Sequence, residues 1–283
     1  MTIRKAEEMT WREMDGLNRE ETVFLFPLGP LEEHGPHLPL GTDPLTAEEM
    51  AGRAAQMLEE EDPSSAYVLL PRLWAGHSEG AMHFCGTLSV GTETLKLLIT
   101  DLCRSLARHG FRKVLLVNHH MDLFHIRALL QAVEEVNGSS CIRVVEASSA
   151  ILFTGEGAAG EQNPSQSGHE ETEIHADVRE TSFMLHRHPR LVRAWYRELP
   201  PVRIRIAEEL RQGHIYFDEM GAAEGYMGSP ALATAAFGAA HLETGARAVA
   251  GLARRLLRNE HIVQIGPHME RVLRHLPQAN GHK

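Results

Sequence analysis

The stretch TVFLFPLGPLEEHGPHLPLGTDPLTAEEMAGRAAQMLEE, residues 22–60, contains a predicted strand, a loop and a helix, in that order. Its first seven residues, Thr22–Leu28, are apolar and include β-branched and aromatic side chains, which predicts a buried strand. Gly29 and Pro30 mark the loop that follows. Pro44 suits the first turn of a helix, and the apolar spacing after it has the helical period. The stretch therefore predicts the first strand and the first long helix of an α/β fold.

The same alternation continues to about residue 145. Further strands are predicted at residues 67–70, 113–117 and 141–145, and further helices at residues 94–109 and 123–136. The first of these helices has an amphipathic apolar face and ends at Gly110, and the second ends at Asn137 and Gly138. Strands that alternate with helices indicate a mostly parallel sheet. We therefore expect a three-layer α/β/α architecture with helices on both faces of the sheet.

The second half of the chain has weaker patterns. Residues 153–169 are rich in Gly, Ser, Gln and Glu, and a polar stretch of this length is usually a functional or flexible loop. Helices are predicted from about Glu180 to His186 and within residues 230–258. Because no internal repeat and no linker interrupts the pattern, we expect one domain that spans residues 1–283.

Composition narrows the class of protein. The chain has 283 residues, of which 43% are hydrophobic and 23% charged, as in a typical soluble globular protein, and its formal net charge is −10. No basic stripe is interleaved with aromatic residues, so we expect no nucleic-acid partner. The sequence has no apolar run of membrane-crossing length and no signal-peptide core, so we expect no membrane partner and a cytoplasmic location. The three cysteines form no CxxC pair, which favours reduced thiols.

Carboxylate and imidazole side chains follow the first predicted strand. In open α/β sheets, ligands bind beyond the carboxyl ends of the strands. Glu32 and His34 are two residues apart, so in an extended segment their side chains point the same way. The Gly and Pro residues between His34 and Asp43 allow the chain to fold back and add a second carboxylate. This set suits Zn²⁺, Mn²⁺ or Fe²⁺; the alternative is a polar loop in which Asp43 caps the next helix.

A second cluster, Asn118-His119-His120-Met121-Asp122, directly follows the predicted strand KVLLV. It therefore lies at the carboxyl end of a parallel strand, on the same edge of the sheet as the first cluster. The alternative is a polar loop in which one histidine caps the next helix. The coincidence of two such clusters at two strand ends favours a shared metal site.

A third cluster lies around the start of the helix predicted near Glu180. His175 stands just before this helix and Glu180 at its start. Glu180 has an alternative explanation, because the helix dipole favours an acid in the first turn. The nearby Glu170, Glu171 and Glu173 are predicted to form a solvated acidic face.

Residues 76–89, GHSEGAMHFCGTLS, form a fourth segment that is rich in small side chains. This segment forms either a wall of the pocket or an ordinary surface loop. Both interpretations remain open for its two histidines, His77 and His83.

Five segments resemble, in order along the chain, the creatininase (creatinine amidohydrolase) family: PLGPLEEHGPHLPLGTD, HFCGTLSV, VNHHMD, HADVRETSFML and GYMGSPALATAAFGAA. The first resembles the family's N-terminal signature, P-x-G-x-x-E-x-H-G-x-H-x-x-x-x-x-D, and is specific. The match spans most of the chain, so the sequence is identified as a member of this family. The resemblance implies a single α/β/α domain and a homo-oligomer, often a hexamer.

The resemblance also implies a site for two divalent metal ions, which would be Zn, Mn or Fe. Glu32 would bind one ion and His34 the other. Asp43 would bridge the two ions, and His120 would complete the ligands of the first.

The second ion needs one more carboxylate, for which the resemblance offers Asp122 or Glu180. Asp122 stands where creatininase itself has a glutamate, which is one methylene longer. His175 matches a family histidine near the substrate, which implies a proton donor to the leaving nitrogen, with Glu180 as the alternative. The sequence departs from the family in the same region, because His119 replaces a glycine and Leu123 an asparagine.

The function that the resemblance implies is hydrolysis of a small amide C–N bond by a metal-activated water, with a cyclic amide as the first substrate class. Creatinine itself is not expected, because Glu171 and Thr172 stand where creatininase has a Trp-Asp pair that encloses it. The alternatives within the family are a formamide hydrolase and a metallopeptidase that acts on a small peptide. A non-catalytic metal-binding assembly protein is an alternative from another class.

Overall fold

The computed structural model describes residues 3–153 and 172–276, and the polar stretch from residue 154 onward, with Glu170 and Glu171, lies outside these residues. Five strands form one sheet: β1 (Arg4–Lys5), β2 (Thr22–Leu28), β3 (Ala66–Leu69), β4 (Lys113–Asn118) and β5 (Arg143–Glu146). The α-helices in the described part are α1 (Trp11–Asp15), α2 (Thr42–Glu61), α3 (Thr92–Arg108), α4 (Leu123–Ser139), α5 (Ala147–Leu152), α6 (Val178–Arg187), α7 (Ile206–Gln212), α8 (Ala235–Leu257) and α9 (Pro267–His275).

The sheet has the strand order β1-β3-β2-β4-β5, and every pair of neighbouring strands is parallel. Both of its faces are covered, which explains why β2 is apolar along its whole length. Val23 and Leu25 pack in the core formed with α2 and α8, whereas Phe24 and Phe26 pack in the core formed with α3 and α4. The predicted three-layer α/β/α architecture is therefore confirmed.

The position of β2 brings the two polar clusters together. Because β2 lies between β3 and β4, its carboxyl end adjoins that of β4, and Leu28 is in register with Asn118. The backbone N–H of His119 donates to the carbonyl of Leu28 at 3.3 Å. The loop that follows β2 therefore starts beside the loop that follows β4, as expected for a ligand site at the carboxyl edge of a parallel sheet.

One predicted boundary that the structure does not confirm is the end of α4. The predicted helix ends at Asn137 and Gly138, but α4 continues to Ser139. The side chain of Asn137 exchanges two hydrogen bonds with the backbone of Val144, at 2.7 and 2.9 Å, and this tertiary contact ties the last helical turn to β5. Among the other described elements, β1 is two residues long and too short to give a pattern, and α1, α5, α7 and α9 are further helices that the sequence did not predict.

Within residues 3–153 and 172–276, no helix combines the length and the apolar character that a membrane span requires.

The packing of α6 on α8 fixes the helix that carries Glu180. The contact depends on Gly238, because a Cβ there would lie 1.9 Å from the carbonyl oxygen of Ser182 on α6. Gly251 lies in the same helix α8, but a Cβ at that position would meet nothing within 4 Å. The two glycines therefore form a matched pair for testing this packing.

We expect Gly238→Ala to lower the free energy of unfolding by about 1–3 kcal/mol, because the added methyl group overpacks the contact between the helices. Gly251→Ala should raise it by about 0.5–1 kcal/mol, because glycine loses more conformational entropy than alanine when the helix forms. Urea unfolding of both variants measures the difference. Equal effects of the two substitutions would contradict the close α6–α8 contact.

Candidate metal centre

Two loops and one helix start converge at the carboxyl edge of the sheet. The chain leaves β2 at Gly29, where a Cβ would lie 2.6 Å from the Cβ of Asp43, so the loop passes close to the start of α2. The N-cap of α2 is Gly41, and Asp43 lies in the first helical turn. The alternative in which Asp43 caps the helix is therefore wrong, and its side chain is available to the site.

Glu32, Asp43 and His120 form a buried group whose ligand atoms lie within 4.8 Å of one another. Nδ1 of His120 lies 2.9 Å from Oε2 of Glu32 and 3.1 Å from Oδ2 of Asp43. Nε2 of His120 is 3.0 Å from the carbonyl oxygen of His77, and since a carbonyl only accepts, Nε2 carries the proton. In the neutral ring, Nδ1 therefore presents a lone pair to the two carboxylates.

His34, Asp43 and the partly buried Glu180 form a second group whose ligand atoms lie within 4.8 Å of one another. Nδ1 of His34 donates to the carbonyl oxygen of Glu32 at 3.0 Å, so its Nε2 presents a lone pair in the neutral ring. That Nε2 lies 3.5 Å from Oδ1 of Asp43 and 3.8 Å from Oε1 of Glu180. The other carboxylate oxygen of Glu180 accepts the backbone N–H of Ala176 at 2.6 Å, which fixes its orientation.

Asp43 belongs to both groups and presents a different oxygen to each. Oδ2 faces His120 in the first group, and Oδ1 faces His34 in the second. The residue is 1% exposed, so water does not compensate its charge. Burial alone would raise the pKa of Asp43, but the neighbouring His34, His119 and His120 lower that pKa well below its usual value.

The histidines respond to the same excess of negative charge. Burial alone would lower the pKa of His34, but Asp43 and Glu180 raise it well above its ordinary value. The pKa of His120 is likewise raised against the effect of burial, by Glu32 and Asp43. The cluster therefore stabilises positive charge at its centre, which either protons or metal cations can supply.

The buried polar atoms also fit metal ions. Among the described residues, Oε1 of Glu32 has no hydrogen-bond partner, and Oε2 of Glu32, Oδ2 of Asp43 and Nε2 of His34 have none while the histidine rings are neutral. Buried polar groups without partners are rare in folded proteins, and those at a metal site are an exception. Carboxylate oxygen and imidazole nitrogen are ligands for Zn²⁺, Mn²⁺ and Fe²⁺. The residues present therefore suit the ions that the sequence predicts.

His175 approaches the other carboxylate oxygen of Glu32, and with Glu32 and His34 it forms a third group whose ligand atoms lie within 4.8 Å of one another. Its Nε2 donates to the carbonyl oxygen of Glu33 at 2.8 Å and lies 3.9 Å from Oε1 of Glu32. Burial would lower the pKa of His175, but the Glu32 and Glu33 carboxylates raise it to about 9. The next residue, Ala176, has φ of 47°, a left-handed conformation that is uncommon outside glycine and is often found at functional sites.

The structure does not bring Asp122 into the cluster. Its Oδ1 accepts the backbone N–H of His125 at 2.8 Å, which makes Asp122 the N-cap of α4. Aspartate is a preferred N-cap residue, and this local hydrogen bond turns its side chain along the helix. Of the two candidates for the second ion, only Glu180 lies beside His34 and Asp43.

Glu173 does not belong to a solvated acidic face, and that prediction is wrong. The residue is 3% exposed, and its Oε2 accepts the backbone N–H groups of Ser229 at 3.0 Å and Val178 at 3.3 Å. Two backbone donors compensate its burial, and an acid at this place ties the start of α6 to a distant loop. Glu170 and Glu171 lie outside the described residues.

The segment of residues 76–89 contacts the site through its backbone and one hydroxyl group. The carbonyl of His77 accepts from His120, and Oγ1 of Thr87 accepts the N–H of Glu33 at 3.0 Å. His83 is exposed and pairs with Asp218 instead.

Sequence reasoning missed two histidines at the site. Nδ1 of His119 lies 3.5 Å from Oδ1 of Asp43, although the sequence presents His119 only as a departure from the family pattern. His125 is buried, and its Nδ1 accepts the N–H of His77 at 3.1 Å, so it holds the residue whose carbonyl orients His120. The position of His119 next to His120 was a sequence signal that could have identified His119. No sequence signal marked His125.

Comparisons with known proteins find similarity to one family. A family model for creatininase, described as creatinine amidohydrolase, matches residues 7–253. Creatinine amidohydrolase of Pseudomonas putida is 31% identical over 137 residues, which cover 46% of this chain and 50% of that protein. The mycofactocin precursor peptide peptidase of Mycobacterium tuberculosis is 37% identical over 113 residues, which cover 39% of this chain and 44% of that protein. The chain thus spans about half the length of these curated relatives.

Two solved structures share the fold over almost their whole length. One, named "Creatininase Mn", is 25% identical with a TM-score of 0.66, and the match covers 90% of this chain and 98% of that chain. The other, a creatinine amidohydrolase, is 25% identical with a TM-score of 0.64, and the match covers 90% of this chain and 99% of that chain.

We expect Asp122→Ala to destabilise the protein by about 1 kcal/mol, because it removes a helix cap, and to leave metal binding unchanged. Asp122→Ser retains a capping side chain and should restore most of the stability. Thermal unfolding and elemental analysis of both variants test this. Loss of a metal ion from the serine variant would place Asp122 among the ligands.

Proposed function

The chain belongs to the creatininase family, and from that premise we propose that it is a metal-dependent hydrolase that cleaves an amide C–N bond at a site for two divalent cations. The observation that carries the proposal is the position of Asp43, which presents one oxygen to each of two ligand groups. The catalytic unit in this proposal is one domain that spans the chain.

Each ligand group would hold one ion. Glu32, His120 and Oδ2 of Asp43 would hold the first, and His34, Glu180 and Oδ1 of Asp43 would hold the second. Two divalent ions, when bound, would supply a water of lowered pKa and a Lewis acid for the amide carbonyl. Zn²⁺, Mn²⁺ and Fe²⁺ all suit these ligands. The similar structure named "Creatininase Mn" favours manganese among these three metals.

The surrounding backbone would keep these side chains in place. The carbonyls of His77 and Glu32 accept the distal N–H groups of His120 and His34, so each ring keeps its other nitrogen for the ion. Partners of this kind orient metal ligands and raise their basicity. Burial of the cluster excludes bulk water and strengthens the attraction between its carboxylates and a cation.

His175 is the proposed proton donor to the leaving nitrogen. Its ring lies beside Glu32, outside the two groups that share Asp43. Glu180 is the less suitable donor, because one of its oxygens faces His34 and the other accepts the N–H of Ala176. A group in hydrogen-bond reach of the substrate can transfer this proton directly or through one water.

A cyclic amide is the first substrate class, and a small peptide is the second candidate. The ring of Phe217 lies 5.0 Å from that of His175 and would give a small planar amide an apolar wall. The peptide is favoured by the mycofactocin precursor peptide peptidase, which has the higher identity of the two relatives, 37% against 31%. A formamide hydrolase and a non-catalytic assembly protein remain alternatives that the assays below separate.

We expect the purified protein to contain about two divalent ions per chain, because two ligand groups share one aspartate. Asp43→Asn removes charge from both groups and should reduce the content of both ions and the amide hydrolysis together. Asp101→Asn, on the exposed surface of α3, is the matched control and should change neither. Elemental analysis of the three proteins, before and after chelation, is the measurement. Full metal content and activity in Asp43→Asn would contradict the proposed site.

A substrate panel separates the candidate activities. We expect the metal-loaded protein to hydrolyse cyclic ureides or lactams with a higher kcat/KM than N-formyl amines or short peptides, and His175→Ala to lower kcat while the metal content stays unchanged. Release of amines, measured by a chemical assay, is the readout. Hydrolysis of peptides alone would assign the site to a peptidase, and inactivity of the fully loaded protein on all three classes would favour the assembly protein.

A further inference from the structure

His119 lies against the second ligand group. This residue follows β4 directly, and its side chain is 16% exposed. Nδ1 of His119 lies 3.5 Å from Oδ1 of Asp43 and 3.9 Å from Oε1 of Glu180. Nε2 of His34 lies 3.5 and 3.8 Å from the same two oxygens. Two imidazole nitrogens therefore approach one pair of carboxylate oxygens at nearly equal distances.

These distances are close to those between ligands around one cation. In a tetrahedral site with metal–ligand bonds of about 2.1 Å, neighbouring ligand atoms lie about 3.4 Å apart. The four measured distances exceed that value by 0.5 Å at most. The group of ligand atoms within 4.8 Å contains His34, Asp43 and Glu180 but not His119, so the ring of His119 would have to shift toward an ion to join them.

A hydrogen bond explains the position of His119 less well. The N–H···O bonds of proteins cluster near 2.9–3.0 Å, and 3.5 Å from Asp43 is at the outer limit. The ring is instead placed by its aromatic neighbours, with centroids 6.4 Å from those of Phe183 and His241. His119 therefore stands beside two carboxylate oxygens without a strong hydrogen bond to either.

We propose that His119 is a fourth protein ligand of the second cation, together with His34, Asp43 and Glu180. The inference rests on the proposed two-cation function and extends it. A site with four protein ligands is closed and binds its ion tightly, whereas a site with three keeps a position for water or substrate. The second cation is thus held for structure and charge, and the first, at Glu32, Asp43 and His120, has the open position.

The test uses two substitutions of His119 in the full chain. His119→Ala removes the nitrogen, and His119→Asn keeps an N–H donor near the place of Nδ1 but is a poor metal ligand. His109→Ala, an exposed histidine at the end of α3, is the matched control. Each metal-free protein is checked by circular dichroism and then titrated with Zn²⁺ against a chromophoric chelator.

The wild type and His109→Ala should bind two ions, one more tightly than the other. In both His119 variants the tighter affinity should fall about 100-fold or more, since loss of supporting partners alone costs 10–100-fold. Wild-type affinity in His119→Asn would show that His119 is only a hydrogen-bond donor. Wild-type affinity in His119→Ala would show that His119 has no role in binding the ion. Either result would overturn this inference and leave the proposed function standing. A wild type that binds no ion would overturn the proposed function and this inference with it.

Discussion

The burial of Asp43 between two sets of ligands is the constraint on which the site depends. An ionised carboxylate that is removed from water is costly unless positive charge and hydrogen bonds compensate it. Here Glu32 and Glu180 add further negative charge within a few ångströms, and the raised pKa values of His34 and His120 show how strongly the cluster favours a positive partner. Protons or metal cations can meet this demand, and because each of these rings donates from its other nitrogen to a carbonyl, the nitrogen that would take the proton or the cation faces the carboxylates.

The fold meets the constraint by placing three separate segments at one edge of the sheet. β2 and β4 are neighbours, so the loops that carry Glu32 and His120 start side by side. The absence of a side chain at Gly29 lets the first turn of α2 bring Asp43 against that edge. α6 brings Glu180 from a distant part of the chain. The close contact between α6 and Gly238 of α8 fixes how near this helix lies to α8. Packing that looks unrelated to the site therefore determines the ligand distances.

Much of this arrangement was predictable from the sequence, because it follows from strong local patterns. The apolar runs of β2 and β4 fix the parallel core, and a ligand loop that directly follows each strand must lie at the carboxyl edge. The details that sequence reasoning missed depend on competition between partners. Asp122 could cap a helix or reach the site, and the capping hydrogen bond prevailed. Glu173 looked like a surface acid, but two backbone donors from distant segments hold it in the interior. No local pattern reports such contacts.

The shared aspartate is the central claim, and anomalous diffraction from crystals grown with Mn²⁺ or Zn²⁺ tests it most directly. The account predicts two anomalous peaks, each within bonding distance of a different oxygen of Asp43, with one peak beside His120 and the other beside His34. A single peak, or peaks that leave either oxygen of Asp43 without a bound cation, would contradict it.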